Sequence, residues 1–191
     1  MLSSADPSER AAGARDIFRS GRELADAASQ GWRSDLEFSQ LLAGFNANGP
    51  QCTVGLAVTP LTFEAIHSAN GSPQLAEVPP DQDAREFELH FDADHDGDSE
   101  KGANVALDIL TSRELGGNGA IARYLSKFGE GIQQVEYRCR DVNAATALLK
   151  NKFGVEPIYP QTRPGANGTR INFFLARTQN GEKVLIELYE K

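Results

Sequence analysis

The 191-residue sequence is short of cysteine, with two, of histidine, with three, and of basic charge, with 19 Lys and Arg against 27 Asp and Glu. Two cysteines, Cys52 and Cys139, cannot build a disulfide framework, and neither sits in a CxxC pair, so a reducing compartment is expected. A formal charge of −8 excludes nucleic-acid backbones and anionic membrane surfaces as natural partners, because neither rewards an acidic surface. No apolar run approaches the roughly 20 residues that span a bilayer. The first ten residues, MLSSADPSER, lack the basic and apolar regions of a secretory signal. A soluble intracellular protein, of the cytoplasm or an organelle matrix, is the expectation. Neither cysteine has a histidine near it in sequence, and His67 and His95 have no readable partner, so a thiolate nucleophile or a Ser-His-Asp arrangement has no support.

What is present divides at about residue 50. Asp6-Pro7 reads as an N-cap with proline at the first helical position. Ala11, Ala14, Ile17, Phe18, Leu24, Ala27 and Ala28 then recur at helical spacing, and Gly21 and Gly31-Trp32 are expected to break the run into two or three short helices. This extension, residues 1–50, either packs on the main domain or, through residues 1–48, docks a protein partner. Asn46-Ala47-Asn48-Gly49-Pro50 marks the boundary.

Beyond it, strands are predicted at 52–58, 87–91 and 105–110, and again at 133–139, 170–175 and 184–189. Helices are predicted over 61–69, 120–128 and 142–153, the last between an Asp141 N-cap and a Gly154 stop. Placing Thr53 over Gln134 and Asp108 over Glu187 gives offsets of 81 and 79 residues, close enough for a duplicated unit. The predicted fold is α+β: two paired βαβββ modules forming a curled sheet around a cleft, after a helical extension. Module one spans 51–114, a linker helix 115–130 and module two 131–191. In each strand the apolar set faces a helix and the alternate set faces the cleft, where Thr53, Asp108, Gln134 and Glu187 are expected to converge.

GEGIQQVEYRCRDV (129–142), RPGANGTRINF (163–173) and VLIELYEK (184–191) resemble methylmalonyl-CoA epimerases, members of the vicinal oxygen chelate superfamily; VALDIL, AIARYLSKFGEGI and, more faintly, CTVGLAVTPLTFEA (52–65) extend the likeness over about 52–191. The resemblance implies a divalent metal held by four side chains, stabilising an enolate formed when a carboxylate removes a proton alpha to a thioester. The matching positions are Thr53, where the family has His; Asp108, where it has Gln or Glu; Gln134, where it has the second His of a Gly-x-His-His run; and Glu187, retained. Both imidazoles are replaced, so the implied metal site is degenerate. Asp108, Gln134 and Glu187 remain as candidate ligands for a hard ion, and no other cofactor is expected. His90, sharing a strand face with Glu88, is either a substitute ligand or part of a solvated face.

Two functions follow. One is a glyoxalase-fold protein that binds a small acidic or acyl ligand or acts as an interaction subunit. The alternative is a metal-dependent isomerase of the epimerase type with Glu187 as base. The resemblance also makes Arg163 and Arg170 candidate contacts for a carboxylate or phosphate, and dimers are a family habit. Glu187 has a structural reading as well, paired with Arg138 or Arg170. Asp92-x-Asp94-x-Asp96-Gly97 imitates half of an EF-hand loop, with Ala103 where the bidentate Glu belongs, and is expected to be an acidic hairpin loop. Gly116-Gly117-Asn118-Gly119 before a helix is either a linker or an anion cradle.

Overall fold

The computed structural model describes residues 1–46, 49–91, 105–114 and 116–191. The acidic motif at 92–98 and His95 lie outside the described residues. Two compact units are formed: Met1–Arg19 with Thr53–Gln133, and Ser20–Cys52 with Gln134–Lys191. The fold class is α+β, as the sequence predicts.

A single helix, α1 (Pro7–Arg33), contributes to both units, followed by α2 (Leu36–Leu41) and a minimal ladder of β1 (Phe45–Asn46) with β2 (Gly49–Pro50). The predicted breaks at Gly21 and Gly31 do not occur. A glycine costs a helix about 1 kcal/mol, less than the packing of a buried apolar stripe returns. Ala14, Phe18, Ala25 and Trp32 form that stripe, and Gly21 is buried with them.

In the first unit, β3 (Cys52–Ala57) runs parallel to β5 (Val105–Ser112), which pairs antiparallel with β4 (Ala84–Phe91). The crossover helix α3 (Pro60–Ala69) buries Phe63 and Ile66, and Phe63 meets Phe87 edge-on at 4.8 Å. Its N-cap, Thr59, donates from its backbone N and its hydroxyl to Glu130 Oε1 at 2.9 and 2.7 Å, placing a carboxylate at the positive end of the helix. The C-terminal end is clipped by Asn70, whose amide donates to the Leu2 carbonyl at 3.0 Å. A further helix, α4 (Ala120–Phe128), buries Ile121 and Ala122.

In the second unit the order is β6 (Gly131–Arg138), β9 (Lys183–Glu190), β8 (Arg170–Arg177), β7 (Arg163–Pro164). The helix α5 (Val142–Phe153) starts at Asp141, whose carboxylate accepts from Ala144 N at 2.8 Å, and stops at Gly154 in the left-handed region, as predicted. Val142, Ala145 and Leu149 face a core of Val135, Tyr137, Phe174, Ile186 and Leu188. The extension from Ser20 onward is part of this unit: Phe38 is fully buried against Trp32 at 4.9 Å, and Lys152 of α5 bonds both Asp35, the N-cap of α2, and Glu37 within it.

The duplication is realised residue by residue. Gly55 lies opposite Asp108, and Glu136 lies opposite Glu187, positions that the offsets of 81 and 79 residues superpose. The counterpart of the short β7 in the first module is one backbone bond, from Ala76 N to Glu86 O at 2.9 Å.

Candidate functional site

Strand alternation sorts the polar residues. In the second unit Gln134, Glu136 and Arg138 of β6 share a face with Leu185, Glu187 and Tyr189 of β9, and across the register with Ile171 and Phe173 of β8. The opposite face is the apolar one beneath α5. Four candidate positions are all buried: Thr53 and Asp108 are each 6% exposed, Gln134 7% and Glu187 9%.

Gln134 and Glu187 are brought together. The Gln134 amide nitrogen donates to Glu187 Oε2 at 2.7 Å and to Glu136 Oε1 at 3.0 Å, so one NH2 group bridges two carboxylates that face each other across β6 and β9. Both bonds go to charged acceptors, the stronger kind, and burial removes the water that would compete. Glu136 was visible in the sequence only as a residue on the same strand face; its pairing in register with Glu187 is the signal that marks it.

Farther along the same face, Phe173 stands opposite Glu187, and Arg163 of β7 is in register with Ile171. The Arg163 guanidinium lies over the Tyr159 ring at 4.5 Å, and that ring meets Phe173 edge-on at 6.0 Å. A carboxylate–amide group at one side and a cation at the other are thus joined by aromatic surface. Arg170 is placed elsewhere: it is in register with Glu190, on the face opposite Glu187, and its Nε lies 3.3 Å from Glu190 Oε1.

In the first unit Thr53 and Asp108 occupy one face of neighbouring strands, with Gly55 rather than Thr53 directly opposite Asp108. Across β5, Glu88 is opposite Asp108, and Glu86 and His90 flank it on that face. His90 is paired with Glu88, Nε2 to Oε2 at 3.1 Å, and both side chains are more than half exposed. Its register partner is Ala106, not Asp108. Glu86 is a member the sequence reading missed. Burial, with the nearby Glu88 charge adding to it, pushes its carboxyl up to about 7, in the range of a group that exchanges a proton at neutral pH. The alternation Glu86, Glu88, His90 between Phe87 and Leu89 was the available signal.

Among the described residues, no group of three or more His, Cys, Asp or Glu side chains is arranged to hold a metal ion. Burial pushes the Cys52 thiol up to about 11 and that of Cys139 to about 12, so both are inert at neutral pH. At the start of α4 no described side chain caps the first turn, and the Asp83 carboxylate stands beside Gly119, where an added side-chain carbon would lie 2.6 Å from Asp83 Oδ2. No described helix is long and apolar enough to cross a membrane.

Neither a protein-family model nor a curated protein sequence matches the chain. Solved structures do. The methylmalonyl-CoA epimerase from Mycobacterium tuberculosis is 30% identical, with 80% of this chain and 93% of that one covered at a TM-score of 0.53. A variant of the Streptomyces coelicolor methylmalonyl-CoA epimerase in complex with 2-nitronate-propionyl-CoA is 26% identical over 73% and 94% of the two chains, at 0.55. A methylmalonyl-CoA epimerase in complex with methylmalonyl-CoA and NH4+ is 27% identical over 73% and 92%, at 0.54. The chain belongs to the methylmalonyl-CoA epimerase-like family of the vicinal oxygen chelate superfamily.

Proposed function

We propose that the chain is a member of this family with a degenerate metal site that binds a small acyl or carboxylate-bearing ligand. The observation that carries this reading is the Gln134 amide, which presents N–H donors to Glu187 and Glu136 at a position where the family resemblance implies an imidazole. An amide nitrogen in that role offers a metal no lone pair. Thr53, in the place of the other imidazole, supplies only a neutral hydroxyl. The donor set that remains does not suit zinc, cobalt or iron.

The second unit's face supports the ligand. Phe173 and Tyr159 offer apolar surface to an acyl chain, and Arg163 offers a cation to a carboxylate or phosphate at its far end. The solved relatives hold acyl-CoA ligands, which have both parts. Elemental analysis of the purified protein, together with calorimetric titration of propionyl-CoA and methylmalonyl-CoA, tests the reading. The expected result is no stoichiometric metal, with binding weakened about tenfold by Arg163→Ala, the loss of one charged contact. Stoichiometric, tightly bound cobalt, zinc or manganese refutes the degenerate site. Unchanged affinity in Arg163→Ala refutes the placement of the ligand.

One observation favours a second reading, the metal-dependent isomerase. Glu187 is retained, buried and held by a hydrogen bond, as a base acting on a carbon acid must be. In that case the Glu187 carboxylate takes the proton alpha to the thioester carbonyl from one face, and a proton derived from solvent, delivered on the opposite face of the enolate, inverts the centre. The Gln134 carbonyl and the Glu187 carboxylate would be the second unit's residues toward a hard divalent ion, which would supply enolate stabilisation. Deuterium uptake from solvent into methylmalonyl-CoA, abolished by Glu187→Gln, supports this reading; no uptake with magnesium, manganese or cobalt added refutes it for that substrate.

A further inference from the structure

Within the second unit, α1 and the turn between β8 and β9 enclose a groove of about 530 Å3. One wall is a stripe along three turns of the helix, in which Ser20, Glu23, Leu24, Ala27 and Gln30 recur at three- and four-residue spacing. The other wall is the turn Thr178–Glu182. That turn is fixed by its own bonds: Thr178 N donates to Glu182 O at 2.9 Å, Gly181 N to Thr178 O at 3.0 Å, and Glu182 N to the Thr178 hydroxyl at 3.1 Å. Gly181 takes a φ of 84° there, which glycine adopts without strain.

The lining has a definite chemistry. Leu24 and Ala27 make an apolar floor, one glutamate stands on each wall, Glu23 and Glu182, and no lining residue is cationic. The nearest cations of α1 are directed elsewhere, Arg19 to Asp16 at 2.9 Å and Arg22 to Asp26 at 3.8 Å. Gln30, Gln179 and Asn180 supply amides, which can both give and take hydrogen bonds along a peptide backbone.

We propose that this groove docks a segment of a partner protein that carries lysine or arginine side chains, one cation between Glu23 and Glu182 and an apolar residue on Leu24 and Ala27. The walls are both built from residues of the second unit, and one of them is the N-terminal extension. The groove stands apart from the Gln134–Glu187 face, so this inference is independent of the ligand reading above. It gives the extension a use beyond packing: its inner stripe closes the core, and its outer stripe presents a surface.

The test uses the full chain labelled with 15N and two nonapeptides, one of three Lys-Ser-Leu repeats and one of three Glu-Ser-Leu repeats. The lysine peptide is expected to shift the amides of residues 20–30 and 178–182 saturably, with binding that weakens as salt rises. The glutamate peptide is expected to leave them in place. Glu23→Lys with Glu182→Lys, both exposed positions, should weaken binding at least about tenfold, the scale of one or two exposed charge pairs reversed in sign. Ala27→Arg, which fills the groove and sets a cation one helical turn from Glu23, should do the same. Equal shifts with both peptides, no shift at millimolar lysine peptide, or undiminished binding in both variants overturns the proposal. Concentration-dependent dimerisation abolished by Ala27→Arg overturns it in favour of a second copy of the chain.

Discussion

Replacing Gln134 with leucine is the sharpest perturbation of the candidate site. Leucine nearly matches the volume but removes both charge-assisted hydrogen bonds, at 2.7 Å to Glu187 and 3.0 Å to Glu136. Each such bond contributes on the order of 1.5–3 kcal/mol, and losing a partner leaves a buried carboxylate short of a donor. The larger share belongs to Glu187, which is 9% exposed. A loss of about 3 kcal/mol is therefore expected, read as a fall in the urea midpoint without a change in slope. In thermal unfolding it corresponds to roughly 6–12 °C for a chain of this size. The pairwise part is isolated by a cycle with Glu187→Leu, whose double variant should recover about 1–3 kcal/mol relative to the sum of the singles. If the two losses simply add, or if Gln134→Leu matches the parent within about 0.5 kcal/mol, the amide is not clamping the carboxylates and the reasoning from its geometry fails.

Four further outcomes follow from the structure. Glu86 has its carboxyl raised to about 7 by burial and by Glu88, so the folded state holds a proton that the unfolded chain has released. Its contribution is full below the ordinary value of 4.5 and is lost as pH rises towards 7 and beyond; Glu86→Gln should flatten that decline in denaturant midpoints measured from pH 5 to 8. Gly119→Ala would drive its new methyl to 2.6 Å from Asp83 Oδ2 and should cost about 1–3 kcal/mol, whereas Gly31→Ala meets no atom within 4 Å and should gain about 0.5 kcal/mol in helix α1. Phe38→Ala empties a fully buried site beside Trp32 and should cost about 3–5 kcal/mol, which separates a core role of the extension from a purely external one. Thr59→Ala removes the α3 cap and the hydroxyl's bond to Glu130, leaving the backbone one, at about 1 kcal/mol near neutral pH. Burial raises the Glu130 carboxyl, but its bonds from Thr59 and Thr62 bring it below the ordinary value, so this part of the stability is lost as acid protonates it. Chemical denaturation at pH 7 and pH 3 should show the Thr59→Ala loss shrinking at the lower value.

Much of the fold was legible because period and punctuation agreed. The α5 boundaries follow from Asp141 and Gly154, whose cap and left-handed stop are local chemistry. The register of the duplicated strands follows from a spacing that tertiary structure preserves, so Asp108 and Glu187 fall at equivalent places. The continuity of α1 was not legible. Gly21 is a poor helix former by itself, and its burial on the packed face depends on tertiary contacts that local spacing does not encode. In the site, alternation put Gln134 and Glu187 on one face, but hydrogen-bond partners depend on register between strands distant in sequence. Only its place opposite Glu187 therefore marks Glu136. Arg170 and Arg163 looked alike in a loop rich in turn formers, and only the pairing of β7, β8 and β9 puts them on opposite faces.

The starts of two helices are furnished from within the chain. Glu130 accepts from Thr59 N at 2.9 Å at α3, and Glu190 accepts from Val142 N at 2.7 Å at α5. A phosphorylated visitor would have to displace a resident negative group to reach either of these amides. For the acyl-CoA ligand proposed above, phosphate recognition at these two places therefore falls to side chains, and arginine or lysine substitutions should govern it.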